Sequence, residues 1–265
     1  MADGSGFTGF EPLRRSISGE LFEDGFTRGR YATDASIYQM MPHGVVVPKT
    51  IADIEATIAF CHEQGMALLP RGGGTSQCGQ TVNHALVLDN TKYLNSILEL
   101  DVENRRCIVE PGIVLDELNR QLKPHGLWFP VDVSTSSRAT IGGMTANNSC
   151  GGRSIRYGIM RDNVLAIDAI LADGTHASFG AYNPAAAKPV GRLGKILPDL
   201  LALGEAHSDE ILSSFPKVLR RVGGYNIDSL VPDAMALRPG GKAGDGINLA
   251  HLLVGSEGTL AYSTA

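Results

Sequence analysis

The sequence predicts an α+β fold, and three observations predict it. An apolar run, an amphipathic stretch and a second apolar run succeed one another over residues 45–70 as a β-α-β unit. Three further short runs, at 84–90, 96–101 and 105–112, are β-branched or alternating. A hairpin pattern at 163–180 then precedes a partly amphipathic stretch at 183–221. With 265 residues the chain has room for one large or two small domains.

Taken in order, "VVVP" (45–48) reads as a buried strand and "KTIADIEATIAFCHEQG" as a helix. Thr50 is a good N-cap with Asp53 three residues on, and Gly65 suits the C′ stop. Ile51, Ile54, Ile58 and Cys61 fall on one face. "MALLP" is the next strand, and "HALVLDN", "SILELD" and "RRCIVEPG" are three more. "VLDELNRQLKPHG" is a short helix with Leu115, Leu118 and Leu122 on one face. "NVLAIDAILADGTHASFG" is a hairpin turning at Asp173-Gly174. Residues 183–221 read as helix broken by Pro189, Pro198 and Pro216. "LRPGGKAGDGIN" (237–248) reads as a flexible loop leading to a last strand, "LAHLLVG". The chain stops within an expected strand pair, so it reads as an N-terminal fragment. One segment, 129–163, has no sustained period and is dense in Gly, Ser, Thr, Asn and Arg. A structureless loop of that length in a compact domain implies function.

Bulk properties exclude several classes. Net charge is −5 and the pI about 5.8, with no basic block, which argues against nucleic acid. The N-terminus has no apolar signal core and no run is long enough to span a membrane, so a cytoplasmic protein is expected. The four cysteines have no C-x-x-C spacing and the seven histidines no H-x-x-x-H, so no metal site is expected. The 32 glycines in 265 residues exceed the usual ~7%, which implies tight turns or close backbone approach to a ligand.

The stretch "PRGGGTSQCGQT" (70–81) concentrates that excess. Successive N–H groups in a glycine-rich turn form a concave donor nest for phosphate oxygens, and the Thr75 and Ser76 hydroxyls add donors. "GTSQCGQT" has the Walker A frame, but Gln80 stands where the lysine must be, which removes the charge that NTP hydrolysis requires. G-x-G-x-x-G does not fit either, because Gln77 lies three residues after Gly74. The loop suits a diphosphate that is held and not cleaved.

"RGGGTSQCGQ", "VEPGIVLDEL", "FPVDVSTSSRATIGGMTANNSCGGRSIRYG", "LADG", "GYNI" and "GSEGTL" occur in this order. Together they resemble the PCMH-type FAD-binding domain of the vanillyl-alcohol oxidase / p-cresol methylhydroxylase superfamily. The D-2-hydroxyacid dehydrogenase branch is the most similar, with its D-lactate, D-2-hydroxyglutarate and glycolate dehydrogenases. "NNSCGG" and the long insert before "GYNI" are similar to large bacterial proteins that fuse this flavin unit to an iron–sulfur module.

The resemblance implies two α+β subdomains with FAD between them. Residues 1–40 would be an extension, 41–112 the first subdomain, and 113–265 the second, with its helical insert at 183–221. Arg71, Gly72, Gly73, Gly74, Thr75, Ser76 and Gly79 would hold the pyrophosphate. Pro130, Asp132, Ser137, Thr140, Ile141, Gly142, Gly143, Asn147, Asn148, Gly152, Tyr157 and Gly158 would wrap the flavin. Thr140 to Gly143 would bring backbone donors, and Asn147 and Asn148 side-chain amides. Gly112 and Gly258 would line the same site. Arg153, Arg156 or Arg161 would stabilise reduced flavin or bind a substrate carboxylate, or else be ordinary surface arginines. Relatives that attach flavin covalently use a histidine in the glycine loop; here the nearest is His84, so non-covalent FAD is expected. The cap domain, the metal and the proton-abstracting groups would lie beyond "GSEGTL", as would any iron–sulfur cluster. No catalytic residue is therefore assigned, and the chain alone is expected to have little activity.

The implied reaction is oxidation of a D-2-hydroxyacid by hydride transfer to flavin N5, with electrons passed to a further carrier and a homodimer as one assembly. Two alternatives stay open: an alcohol or sugar oxidase of the same fold using oxygen, and a non-catalytic nucleotide-binding module.

Overall fold

The computed structural model describes residues 9–183, 185, 189–218, 220–236 and 246–265. Most of the expected 237–248 loop lies outside the described residues. The chain packs as two compact α+β units. One comprises Met1–Leu127, Ser137–Gly143 and Ala172–Gly174; the other comprises Trp128–Ser136, Met144–Leu171 and Thr175–Ala265.

The first unit opens with α1 (Glu11–Ser16), β1 (Glu20–Phe22) and α2 (Gly25–Tyr31), followed by β2 (Gly44–Val47), α3 (Ile51–Glu63), β3 (Leu68–Arg71) and β4 (Leu86–Asp89). Its sheet has the order β1-β2-β4-β3, with β2 and β3 both parallel to β4 and β1 antiparallel to β2. The β-α-β unit read from the sequence is thus split: β4 slots between its two strands. Val45, Val46, Val47, Leu86, Val87 and Leu88 are all buried, the continuous apolar pattern of a parallel sheet covered on both faces. Residues expected as an extension supply β1, whose Leu21 pairs with Val46, and the buried Phe10 and Leu13.

The α3 start is a complete capping box. Thr50 Oγ1 accepts from the Asp53 N–H (3.3 Å), and Asp53 Oδ2 accepts from the N–H groups of Thr50 (3.1 Å) and Lys49 (2.8 Å). Asp53 Oδ1 also accepts from the Ser18 N–H at 2.7 Å, tying the segment before β1 to the helix. Burial alone would raise the Asp53 carboxyl, but these N–H groups and the Ser18 hydroxyl outweigh it and hold its pKa below the ordinary value. A depressed native pKa means the unfolded chain takes up the proton first. The stabilisation is therefore complete above about pH 4 and is lost as pH falls through the native pKa. Asp53→Asn is expected to lose about 1–2 kcal/mol at neutral pH. Urea titrations of both proteins should show that gap narrowing towards about pH 3; a pH-independent gap would refute the assignment.

The hairpin of β5 (Ile97–Asp101) and β6 (Arg106–Val109) is followed by α4 (Leu115–Leu122), which buries Leu115, Leu118 and Leu122 as its spacing predicts. Residues 113–127, placed with the second subdomain by the sequence reading, pack within the first unit.

Segment 129–163 is not structureless: it contains α5 (Ile141–Asn147), α6 (Ser154–Tyr157) and α7 (Met160–Asn163). Each is too short for a 3.6-residue period to show. Strands β7 (Ile167–Ile170) and β8 (His176–Phe179) form the expected hairpin, with Gly174 at φ 80°. Helix α8 (Gly191–Ala206) continues past Pro198, contrary to the expected break, and α9 (Ser208–Ser214) follows. A proline deletes one backbone bond, and burial of Leu193 and Leu197 on the preceding turns offsets that loss. Ile211 of α9 packs with Val231 and with Ala234 of α10 (Pro232–Ala236).

"LAHLLVG" is a second correction. It forms the one-turn helix α11 (Ala250–Leu253), and the terminal strand is β9 (Tyr262–Ser263), antiparallel to β7. Residues 250–254 are buried without interruption, and all-round burial gives a helix the same apolar run as a core strand. Among the described residues no helix is long and apolar enough to cross a membrane.

Candidate functional site

In the first unit, β3 delivers the chain into the glycine loop at Arg71. Gly74 (φ 62°) and Gly79 (φ 79°) adopt the left-handed conformation that favours glycine. Side chains are also excluded sterically: a Cβ on Gly72 would strike the Thr140 hydroxyl, and one on Gly73 the Arg138 backbone carbonyl. The two glycines are thus seated against residues 138–140, which are remote in sequence. The backbone N–H groups of Gly72, Gly73, Gly74, Thr75 and Ser76 donate to no acceptor among the described residues. They form an unengaged donor row on a half-exposed turn. The Ser76 hydroxyl bonds the Gln80 side chain.

Arg71 does not point a free cation at that row. Its Nη1 donates to the carbonyl oxygens of Tyr31 (3.1 Å) and Thr81 (2.9 Å), its Nη2 to that of Thr33 (2.7 Å), and its guanidinium lies over the Tyr31 ring. Burial lowers its pKa, with Asp89, Tyr31 and Asp34 opposing. Tyr31 donates to Asp89 Oδ2 at 2.5 Å, and burial together with that carboxylate raises the phenol's pKa.

The N–H groups expected as donors at the start of α5 are already engaged. Ile141 N–H donates to Ile113 O (2.9 Å), Gly142 N–H to Pro111 O (2.9 Å) and Gly143 N–H to Thr140 Oγ1 (3.2 Å). All three backbone donors are thus satisfied within the chain. Gly112 is buried where a Cβ would enter the carbonyls of Asn90 and Leu94, and Ser137 is exposed.

In the second unit, Asp132 Oδ1 accepts from the Arg153 N–H (2.9 Å), and Gly151 packs on the Asp132 backbone, with Gly152 beside its carboxylate. Arg153 stacks over Trp128, whose ring meets Tyr157 edge-on at 5.1 Å, and Arg156 stacks over Tyr157. Both arginines are exposed, and Pro130 is half-buried in the same stretch. Asn147 donates to Glu257 Oε1 (2.8 Å). Gly158 and Gly258 take φ 81° and 74°.

Asn148, expected to offer its amide, is fully buried at φ 53°. Its Oδ1 accepts from the Arg161 N–H (3.1 Å) and its Nδ2 donates to Arg221 O (3.4 Å). Arg161 is likewise an internal group. Its Nη1 meets Asn226 Oδ1 (2.8 Å) and the Asp228 carboxylate (3.2 Å), which Arg221 also binds at 2.6 Å. Asn226, of "GYNI", donates onward to the carbonyls of His251 and Val254. Asn148, read as a cofactor contact, and Arg161, one of three arginines read as a flavin or carboxylate partner or else as surface groups, thus belong to a buried polar network.

The sequence reading missed the Arg138 carbonyl and residues 31–38. A backbone oxygen leaves no signature in residue identity. The Asp34-x-Ser36 turn, in which Asp34 Oδ1 accepts from the Ser36 N–H, is a legible sign of order before β2.

Residues 42–180 match the FAD binding domain family. The D-2-hydroxyglutarate dehydrogenase of Pseudomonas putida is 37% identical over 261 residues, which is 95% of this chain and 25% of the relative. That of Escherichia coli is 33% identical over 261 residues, 92% of this chain and 25% of the relative. The glycolate oxidase subunit GlcD of Bacillus subtilis is 37% identical over 163 residues, covering 60% and 34% of the two chains. Among solved structures, alkyldihydroxyacetonephosphate synthase superposes with a TM-score of 0.60 at 19% identity, over 92% of this chain and 35% of that one. Such a likeness shows a shared fold. The chain spans about a quarter of the length of the dehydrogenases it matches. With that match running unbroken from just before β2 through β8, the chain belongs to the FAD binding domain family.

Proposed function

We propose that this chain is the FAD-binding portion of a flavin-dependent dehydrogenase acting on a D-2-hydroxyacid, D-2-hydroxyglutarate or D-lactate, with FAD held non-covalently and electrons leaving to a further carrier. The observation that carries the reading is the unengaged N–H row of Gly72 to Ser76, on a loop whose glycines leave no space for side chains. Such a run of unengaged N–H groups suits a diphosphate, a delocalised anion that accepts several hydrogen bonds without a proton to transfer. When bound, the flavin supplies the hydride acceptor for carbinol oxidation. This chain's residues bind and orient. In this reading the glycine loop grips the pyrophosphate, and Thr140 and Arg138 fix that loop's floor. The names of the relatives support the substrate class. Non-covalent attachment is supported by the loop's composition and by His84, whose Nδ1 lies against Met41 O at 3.0 Å.

The test is the visible absorption of the purified chain after incubation with FAD and desalting. Retained flavin, released to the supernatant on acid precipitation, is the expected result. A flavin that stays with the precipitate would overturn the non-covalent assignment. A colourless chain that circular dichroism shows to be folded would overturn the flavin reading.

A further inference from the structure

The segment preceding the matched domain is tied to the glycine loop at several points. Arg71 binds the carbonyls of Tyr31 and Thr33. The Ala35 N–H donates to Gly74 O at 3.2 Å. Asp34 Oδ2 accepts from the Thr81 hydroxyl (2.9 Å) and N–H (3.4 Å), while its Oδ1 accepts from the Ser36 N–H (2.8 Å). The Tyr38 ring covers Gly79, where a Cβ would come within 2.6 Å of it. All these residues lie in the first compact unit, and the family match begins only at residue 42.

We propose that residues 31–39 are a strap that preorganises the glycine loop for its diphosphate, with Asp34 and Arg71 as positioning residues; for the identity of the ligand, this rests on the FAD reading above. Glycine loses more conformational freedom on ordering than any other residue, so a run of three is costly to hold in one shape. Apparent affinity falls in proportion to the fraction of loops in the competent shape. The strap raises that fraction before the ligand arrives. It grips both ends of the loop: Arg71 at the entry, Thr81 at the exit, and Gly74 and Gly79 between. Asp34 shapes the strap with one oxygen and fastens it with the other. Arg71 serves through its placement, with its donors turned on carbonyls of the strap and of Thr81, leaving the N–H row to the ligand.

The experiment compares the wild-type chain with Asp34→Ala and Asp34→Asn. Stopped-flow flavin fluorescence gives the FAD association rate, and the melting temperature of the FAD-free chain reports global stability. Limited trypsinolysis with mass spectrometry follows cleavage of the Arg71–Gly72 bond relative to cleavage after Arg120 in α4. Asp34→Ala is expected to slow association about tenfold and to raise Arg71 cleavage about tenfold over Arg120 cleavage, with the melting temperature lower by no more than about 4 °C. Asp34→Asn, which keeps one acceptor oxygen, should fall between. Unchanged association with unchanged Arg71 cleavage would overturn the strap. So would a rise in cleavage that is equal at Arg71 and Arg120, since that reports general loosening. If the wild-type chain fails to bind FAD, the ligand reading falls, and the ratio of the two cleavages in the FAD-free chain still decides whether residues 31–39 order the loop.

Discussion

Gly73→Ala should weaken FAD binding by at least about 100-fold, equivalent to about 2.7 kcal/mol. The added methyl would sit on the Arg138 carbonyl, with the carbonyl carbon at 2.9 Å, and both groups are main chain. Neither can swing aside as a side chain would, so the loop itself must move, and with it the N–H row. Overpacking of this kind costs about 1–3 kcal/mol in stability as well. The control is Gly29→Ala in α2, where an added Cβ meets nothing within 4 Å and φ is not left-handed. It should leave FAD binding unchanged and stability equal or slightly raised. Fluorescence titration of FAD against all three proteins checks both halves. Equal affinities for Gly73→Ala and wild type would remove the glycine loop from the cofactor site.

Asp228→Ala is expected to destabilise the chain by about 3–5 kcal/mol. Its carboxylate, 6% exposed, is shared by Arg161, 5% exposed, and Arg221, 14% exposed. Removing it leaves two guanidinium groups facing each other in a site with little water, and two like charges repel there. Arg161→Met should cost less, because Asp228 keeps Arg221 at 2.6 Å. The network also fixes Asn148, through the Arg161 N–H and the Arg221 carbonyl. Urea unfolding of the two variants gives the order; an Arg161→Met chain less stable than Asp228→Ala would show that Arg221 does not sustain the carboxylate alone.

What the sequence made legible is what local chemistry determines. Thr50 and Asp53 could be read as a capping box because both partners lie within one turn, and Asp173-Gly174 as a hairpin turn because only φ > 0 is demanded there. The glycine loop was legible for the same reason: bare backbone in sequence is bare backbone in space. What was not legible depended on partners that residue identity does not show. The N–H groups of Ile141 and Gly142 look like free donors until the carbonyls of Ile113 and Pro111, about 30 residues back, are seen beneath them, and that of Gly143 until the Thr140 hydroxyl turns onto it. Arg161 and Asn148 look like ligand contacts until Asn226 and Asp228, more than 60 residues away, close on the arginine. "LAHLLVG" lost its period because every side has a neighbour.

The strand order of the first unit has a consequence for the protein as it is made. β2 and β3 never meet; each finds its parallel ladder only on β4, the last of the four to be synthesised. Until Asp89 has left the ribosome, the nascent chain holds an antiparallel pair at most, and β3 with its glycine loop waits unpaired. β4 therefore works as a keystone. A pause or a lesion within Leu86–Asp89 does not weaken one strand of a finished sheet but leaves its neighbours with no common edge to join, at the stage when an unpaired apolar strand is most exposed to other chains.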